Sequence, residues 1–372
     1  MAQVDHTALL GNIEKVVRNM MEMGDANYEE DKTTGAAAIK QGLIARDFGI
    51  MEWDWPQGVG LYGLDILQRC HGDNRYDTFL AHWFTANIKK GLPSRNINTT
   101  APYLTLLGFA RRTGNKEYED MCIRHADWLL RELPKTKEGG FQHVTSAIGD
   151  RHGVQLNDGE MWIDTLFMAV LFLAKMGRTY GRKDWQSEAL KQVLVHIKYL
   201  YDIHTGLFFH GWSFNRNDHF GGVFWCRGNS WFTFGIMDYL EIVGDTIDEG
   251  VRDYIIDTYK AQVAALSKCQ SSSGLWHTVL TDPTSYEEVS GSAAIAKGML
   301  KGVKLGLLDE SHASLAWKAI SALIGNIDNN GTVLNVSAGT GMGHDADHYK
   351  NILKAPMAYG QSLALAALAE AL

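Results

Sequence analysis

The stretch IDTLFMAVLFLAKMGRTYGRKDWQSEALKQVLVHIKYL, residues 163–200, contains a complete helical hairpin. Its first half is apolar or small on nearly every side, which is typical of a helix buried all around. A glycine-containing turn follows, and the second half carries charged residues along one face, which is typical of a helix that packs on one side only. The stretch therefore predicts an inner helix paired with an outer helix.

The same pattern recurs along the chain, and four further units start roughly 45 to 65 residues apart, a spacing within or just beyond that of repeat architectures. These units span residues 58–88, 101–133, 229–266 and 289–327. A final apolar helix at 357–372 has no successor, but residues 8–23 can supply its partner. Six hairpins whose ends meet predict an all-α fold, an (α/α)6 barrel forming one domain over residues 1–372. The alternative, an open α-solenoid, is disfavoured by this N-terminal helix that closes the ring.

The composition excludes several classes of partner. The net charge is −8 and no Lys/Arg-rich run is present, so neither nucleic acid nor an anionic membrane is an expected partner. The apolar run after Asp164 is too short and too interrupted for a membrane span. Eleven tryptophans and fourteen tyrosines supply flat faces that suit sugar rings as well as protein cores. We expect a small-molecule ligand and a monomer or homodimer.

The cysteines and the N-terminal residues predict the cellular compartment of the protein. The four cysteines are widely spaced without a CxxC pair, which argues against a zinc site or a disulfide framework. The N-terminal residues lack the basic start and apolar core of a signal peptide. Together these features predict a cytoplasmic protein.

Long connections between outer and inner helices are all predicted to lie at one mouth of the barrel. Loops of this length commonly carry function, and a mouth rich in aromatic residues predicts a small-molecule pocket. The segments GLFFHGW (206–212) and GLWHTVL (274–280) have the pattern of short strands that could pair across the rim. The prominent side chains in these loops are His152, His210, Trp212, Trp225, Arg227, Trp231, Trp276 and His277.

Asp164 is the carboxylate that stands in the apolar run of the quoted stretch, where the third inner helix begins. One interpretation is a helix N-cap, because Asp readily accepts hydrogen bonds from the N–H groups of a helix start. The other is an acid whose pKa is raised by burial for proton transfer. Both interpretations place the carboxylate at the mouth of the barrel.

The segment FWCRGNSWF brings Trp225, Arg227, Asn229 and Trp231 to the start of the fourth inner helix. An arginine can clamp a substrate carboxylate through two parallel hydrogen bonds, and the tryptophans can stack on a sugar ring. The alternative is an arginine paired with a structural acid between core tryptophans. The clustering of all four at one helix start favours a binding role.

Other polar residues are predicted at the same mouth. His210 can donate to a substrate hydroxyl or share a proton with Asp164. Asn96 and Asn98 precede the second inner helix, where one of them is expected to act as a cap. Trp55 begins the first inner helix. The His and Asp residues at 344–348 match no metal-ligand spacing, and phosphate-loop, serine-hydrolase and dinucleotide motifs are absent, so neither metal nor cofactor is expected.

Five motifs in this order resemble the unsaturated rhamnogalacturonyl hydrolases of glycoside hydrolase family 105, which are related to the unsaturated glucuronyl hydrolases. The motifs are WPQGV (55–59), WIDTLFMA (162–169), FFHGW (208–212), WCRGNSW (225–231) and SAGTGMG (337–343). The resemblance implies a six-hairpin glycosidase of pectin-type carbohydrate metabolism. Such an enzyme removes a terminal Δ4,5-unsaturated uronic acid from lyase-generated oligosaccharides, here an unsaturated rhamnogalacturonan disaccharide.

By this resemblance, Asp164 delivers a proton to C4 of the C4=C5 vinyl ether and then helps water to add at C5. His210, Trp225, Arg227 and Trp231 are assigned to the substrate pocket. Trp55 matches an aromatic contact, and His152 lies in a loop that contributes polar contacts. Ordinary glycosidases need two flanking carboxylates, whereas hydration needs one carboxyl near both the alkene and a water.

The chain departs from the family pattern at one position. Family members carry a second Asp near the start of the second inner helix, where this chain has Asn98, with Asn96 nearby. An amide can hold a hydroxyl or a water, but it cannot raise the pKa of Asp164 by like-charge repulsion. Two rival functions remain at this point: a sugar 2-epimerase on the same barrel, and a non-catalytic carbohydrate-binding barrel.

Overall fold

The computed structural model describes residues 4–24, 49–146, 152–339 and 341–372. Within these ranges, long helices alternate between an outer layer and an inner ring. The outer helices are α1 (His6–Glu22), α3 (Asp77–Lys90), α5 (Lys116–Arg131), α7 (Lys183–Leu200), α9 (Glu249–Cys269) and α11 (Glu310–Ile324). The inner helices are α2 (Trp55–His71), α4 (Ala101–Thr113), α6 (Leu171–Tyr180), α8 (Cys226–Val243), α10 (Val289–Lys304) and α13 (Ala358–Glu370). A short helix, α12 (Ala346–Lys350), lies in the loop before α13.

The inner helices form a closed ring. Each one packs against the next, α13 packs against both α10 and α2, and α1 packs on the outside of α13. The N-terminal helix therefore completes the sixth hairpin with the C-terminal helix. The predicted (α/α)6 barrel is confirmed, and the open solenoid is excluded.

Burial distinguishes the two layers as the sequence pattern predicts. All residues of α13 are buried, and in α8 only Glu241 and Ile242 are not. The outer helix α5 buries a single face, with residues such as Tyr118, Cys122 and Ala126 at a spacing of four. Because a helix enclosed on every side has no face for charged residues, the apolar runs mark the inner ring.

Glycines in the left-handed conformation end three of the inner helices. Gly72, Gly114 and Gly181 follow α2, α4 and α6 with φ of 67°, 71° and 64°. Only glycine adopts this conformation without steric cost, so each glycine allows a sharp reversal into the next outer helix. These tight turns lie at one end of the barrel, which leaves the long connections at the other end, the mouth.

Four antiparallel strand pairs shape the mouth within the part of the chain that the structure describes. They are β1 (Val144–Ser146) with β2 (Val154–Leu156), β3 (Glu160–Trp162) with β4 (Gly211–Ser213), β5 (Trp276–His277) with β6 (Glu287–Glu288), and β7 (Val336–Ser337) with β8 (Lys354–Ala355). The predicted pairing of GLFFHGW with GLWHTVL is wrong. Each segment does contribute a strand, but β4 pairs with the segment that leads into α6, and β5 pairs with the segment that leads into α10. Both partners lie closer along the chain than the predicted ones.

The described helices include none that is long and apolar enough to span a membrane. All four cysteines are free thiols, with Cys122 and Cys226 buried in the core. The cytoplasmic location stays a prediction.

Candidate active site

Asp164 lies where a strand ends and an inner helix begins. The β3–β4 ladder continues through a hydrogen bond from the Ile163 N–H to the His210 carbonyl, 3.0 Å long, so Asp164 and His210 emerge side by side. A π-helical turn, Leu166–Val170, follows Asp164 and leads into α6. Such turns are rare and frequently occur at functional sites.

The N-cap interpretation of Asp164 does not match its geometry. The backbone carbonyl of Asp164 accepts the N–H groups of Phe167 and Met168 at 3.1 and 3.0 Å. The Asp164 Oδ2 atom, by contrast, is buried and has no hydrogen-bond partner among the residues that the structure describes. The backbone thus starts the helix, and the Oδ2 atom of the carboxylate is left available for other interactions.

Burial sets the acidity of Asp164. Its side chain is only 18% exposed, and this desolvation raises its pKa to about 6. Three groups lower this pKa without cancelling the effect of burial: the backbone N–H of Asp164 itself, the positive charge of Arg227 and the Trp231 indole. The carboxyl group therefore changes its protonation state near neutral pH, as a proton-transfer residue requires.

His210 faces Asp164 as a neutral imidazole. Its Nε2 lies 3.6 Å from Asp164 Oδ2, and its side chain is 2% exposed. Burial, followed by the charges of His143, Arg227 and His348, holds the pKa of His210 well below its ordinary value.

Tyr349 fixes the tautomer of His210. The Tyr349 hydroxyl accepts the Gly343 N–H at 3.1 Å and lies 2.9 Å from His210 Nδ1. Its own proton therefore goes to Nδ1, because its other neighbour, the Met342 sulfur at 3.9 Å, is a weak acceptor. The N–H of His210 is then on Nε2 and points toward Asp164.

Aromatic rings build the walls beside this pair. Trp55 meets the edge of Trp231 at 5.7 Å between ring centroids and stacks on Tyr359 at 4.9 Å. Trp225 packs against His210 at 4.4 Å. The indole N–H of Trp225 is buried and has no partner within the described ranges, so it can donate to a ligand. The indole N–H of Trp231 faces the Asp164 carboxyl, whose pKa it lowers.

Arg227 is enclosed at the base of the site and not displayed on its surface. Its guanidinium lies between the rings of Trp225 and Tyr359, 4.5 and 4.6 Å from their centroids. It is 3.8 Å from Glu288, a residue that also caps α10 through the N–H groups of Ser290 and Gly291. This setting corresponds to the structural alternative for Arg227. Its charge acts on Asp164 from within the protein, and a clamp on a substrate carboxylate stays a prediction.

The three predicted asparagines have different settings. The Asn229 side chain bonds the backbone of Phe208 in both directions, and the Asn96 side-chain Oδ1 accepts the Thr99 N–H at 3.1 Å, so both asparagines hold loops in place. Asn98 is 8% exposed at the start of the short 3-10 turn Asn98–Thr100, and its side-chain amide makes no hydrogen bond within the described part of the chain. Of the three, Asn98 has the free polar group that a substrate contact requires.

His152 lies on the exposed β1–β2 side of the mouth. Its ring is exposed, and its carbonyl accepts the Ser94 hydroxyl at 2.8 Å. No contact in the structure joins it to Asp164, so its role in substrate binding stays a prediction.

Two contributors to the site were not found from the sequence. Tyr349 was passed over within a segment considered for metal binding, and its distance of 139 positions from His210 gave no local signal. The second is His143, which stacks on Trp162 at 4.0 Å, while Trp162 in turn meets the edge of His210. The 344–348 segment has a structural role instead, because Asp345 caps α12 by accepting the His348 N–H. No group of three or more metal-ligating side chains occurs in the described ranges.

Comparisons with known proteins show the family of this chain. The sequence profile of glycosyl hydrolase family 88 matches residues 39–372. The unsaturated rhamnogalacturonyl hydrolase YesR of Bacillus subtilis strain 168 is 32% identical over 358 residues, which cover 94% of this chain and 98% of YesR.

Two solved structures are also similar. A possible GH105 member from Klebsiella pneumoniae has a TM-score of 0.89 and 38% identity, covering 100% of this chain and 94% of its own. Another possible GH105 member, from Salmonella enterica serovar Paratyphi A, has a TM-score of 0.88 and 39% identity, covering 97% and 93%. The resemblance inferred from the five motifs is confirmed, and these findings support neither the epimerase nor the non-catalytic alternative. The chain belongs to glycosyl hydrolase family 88 and is a glycoside hydrolase.

Proposed function

We propose that this enzyme removes a terminal Δ4,5-unsaturated uronic acid from lyase-generated oligosaccharides by hydrating the C4=C5 bond, with Asp164 as the general acid and base. The observation that carries the proposal is the lone, desolvated carboxyl of Asp164 beside a neutral His210. Burial raises the pKa of Asp164, the Arg227 cation opposes that rise, and no second carboxylate in the described part of the chain contributes to the shift. One carboxyl with a pKa near 6 suits hydration of an alkene better than direct displacement at a glycosidic carbon, which uses two.

The reaction follows from this geometry in two steps. The Asp164 carboxyl transfers its proton to C4, the π electrons form the new C4–H bond, and positive charge develops at C5 and the ring oxygen. The ionised Asp164 then accepts a proton from a water whose oxygen bonds to C5. The resulting hemiketal opens and releases the neighbouring sugar.

Neighbouring groups assist these steps. The His210 Nε2–H faces Asp164 Oδ2 and can orient it or the attacking water. The free indole N–H of Trp225 supplies a donor to sugar oxygens, and the Asn98 amide supplies another. The enclosure by Trp55 and Trp231 excludes bulk water, which strengthens each of these interactions.

The identity and coverage of the relative YesR support an unsaturated rhamnogalacturonan disaccharide as the substrate. The proposed steps at the catalytic centre require neither a metal nor a cofactor. The fold described above is that of the family. The test therefore varies the sugar that is linked to the unsaturated uronic acid.

The test follows the ultraviolet absorbance of the conjugated alkene during incubation with unsaturated disaccharides from rhamnogalacturonan, ulvan and glycosaminoglycans. Asp164→Asn should lower kcat/KM by at least about a thousandfold, within the range of general acid–base catalysis, because the amide cannot donate the proton. The matched control is Asp245→Asn, an exposed residue just beyond α8, which should keep full activity. Normal turnover by Asp164→Asn, or unchanged absorbance with wild type on every substrate, contradicts the proposal.

A further inference from the structure

A cavity of about 310 Å³ lies outside the inner ring, at the mouth end of the barrel. It is formed by the loop that precedes the Asn98–Thr100 turn, by the start of α4 and by the outer helix α5. None of the residues that surround Asp164 lines it. The lining residues are Trp53, Leu92, Pro93, Arg95, Thr99, Tyr103, Met121, Arg124 and His125.

Two arginines converge on this cavity without a counter-charge. Arg95 and Arg124 are both exposed, and neither makes an ion pair with a carboxylate in the described part of the chain. The positive charges of both act on the Tyr103 hydroxyl, and that of Arg95 also acts on His125. Two unpaired guanidinium groups at one cavity form a site for an anion, because each offers a planar set of donors.

His125 adds a buried acceptor to the same cavity. Its ring is 1% exposed and stacks on Tyr103 with 3.9 Å between centroids. Its Nε2 lies 2.8 Å from the Thr100 hydroxyl, which itself donates to the Asn96 carbonyl at 2.8 Å. The single hydroxyl proton is thus used, so Nε2 carries the imidazole proton and donates to Thr100.

The other nitrogen of His125 is left without a partner. Nδ1 is buried and finds no donor among the described residues. Burial lowers the pKa of His125 to about 3, which keeps the ring neutral and Nδ1 an acceptor at neutral pH. A buried unpaired acceptor costs free energy, and a hydroxyl group of a ligand would remove that cost.

We propose that this cavity binds a sugar acid, a ligand that combines one carboxylate for the two arginines with a hydroxyl that donates to His125 Nδ1. The cavity volume suits one monosaccharide unit, and the aromatic side chains Trp53 and Tyr103 contribute to its lining. Either a free uronate or a saturated uronate residue of an oligosaccharide presents this chemistry. The site is independent of the hydration reaction proposed above.

The test is calorimetric titration of the full chain with galacturonate as the probe. Replacing both arginines, Arg95→Gln with Arg124→Gln, should weaken binding at this site at least tenfold while turnover of the preferred unsaturated disaccharide stays unchanged. The matched control is Arg131→Gln, an exposed arginine of the same helix α5 that does not line the cavity. Unchanged galacturonate affinity in the double variant overturns the proposal.

Three further probes separate the ligand classes. Galactose, which lacks the carboxylate, should bind at least tenfold more weakly than galacturonate at the arginine-dependent site. Inorganic phosphate should also bind more weakly, and phosphate binding as tightly as galacturonate overturns the sugar-acid assignment. The third probe is a saturated digalacturonate. If it binds more tightly than galacturonate, and only with both arginines present, the site is assigned to oligosaccharide chains. Equal affinity assigns the site to the free acid. Because binding is measured on non-substrates, failure here leaves the hydration proposal standing.

Discussion

Two aspartates at the inner ring, both shielded from bulk water, have opposite surroundings. Asp238 lies on α8 away from the mouth, 1% exposed, and is hydrogen-bonded to the fully buried ammonium of Lys297, with Lys301 at 3.9 Å. Asp164 is also desolvated, yet its nearest titratable neighbour is a neutral His210 at 3.6 Å. The paired carboxylate serves the fold, whereas the unpaired one has the raised pKa that chemistry requires. The difference suggests a criterion for the proposed acid: a carboxyl that is shielded from water and also lacks a charged partner.

The largest expected effect on stability comes from breaking the structural pair. Lys297→Met should lower the free energy of unfolding by about 3–5 kcal/mol, because it leaves the Asp238 charge buried without its partner. The change is measured by denaturant unfolding. Lys198→Met, which removes an exposed lysine 3.3 Å from Glu138, is the matched control and should cost less than about 1 kcal/mol. Equal small losses in both variants would show that the interior pair has no special role.

Removing the charge of Asp164 should have the opposite effect on stability. The folded-state pKa of about 6 lies above the ordinary value of 3.8, so the folded protein loses stability as the pH rises through this window. Asp164→Asn has no such loss and should be more stable than wild type by up to about 3 kcal/mol at pH 8, by linkage.

The pH dependence of this gain is its control. At pH 4, close to the ordinary pKa of 3.8, the folded wild type holds the proton and the unfolded chain is partly protonated, so most of the advantage of Asp164→Asn should be lost there. Unfolding curves of the two proteins at pH 4, 6 and 8 measure the difference. A gain that is the same at every pH would mean that the amide acts by packing and not by removing a charge.

The pH dependence of the activity should reflect the same pKa of Asp164. If protonated Asp164 is the proton donor, kcat/KM is constant below pH 6 and falls about tenfold per pH unit above it, because the acid form is lost in that proportion. Initial rates on an unsaturated disaccharide between pH 4.5 and 8.5 test this. A rate that rises from pH 6 to pH 8 would assign the proton transfer to another group.

A smaller effect is expected from the residue that orients His210. Tyr349→Phe removes the hydroxyl 2.9 Å from His210 Nδ1, so the imidazole loses its fixed tautomer and orientation. We expect kcat to fall about tenfold through misplacement of a donor, with KM and the break near pH 6 unchanged. Tyr254→Phe, at an exposed position of α9, serves as the control. A change in KM alone would make Tyr349 a substrate contact instead.

Much of the fold was predictable because the inner and outer helices differ in a way that sequence records directly. The all-apolar run after Asp164 and the one-sided pattern of residues 183–200 reflect two different environments, and the glycine turns mark the boundaries between them. Local chemistry likewise placed Asp164, His210 and the tryptophans at the mouth. The family motifs added the expected order of these elements.

Long-range partners were not predictable in the same way. The sequence around Arg227 does not predict the residues that contact its guanidinium. These residues come from distant parts of the chain and are Glu288, Ser290 and Ser337. The pairing of short strands was missed for a related reason, since strands of two or three residues carry too little pattern to choose between partners. Tyr349 shows the same limit, because its role depends on a loop folding back onto His210.

The most direct test of the account is a titration of the Asp164 carboxyl itself. Carbon-13 NMR of protein labelled at the aspartate carboxyl groups, with the Asp164 signal assigned by its absence in Asp164→Asn, gives the pKa in the free enzyme. The account predicts a value of about 6, above that of an ordinary aspartate. A value at or below about 4, the ordinary range for this side chain, would contradict the central claim that an unpaired, desolvated carboxyl drives the reaction.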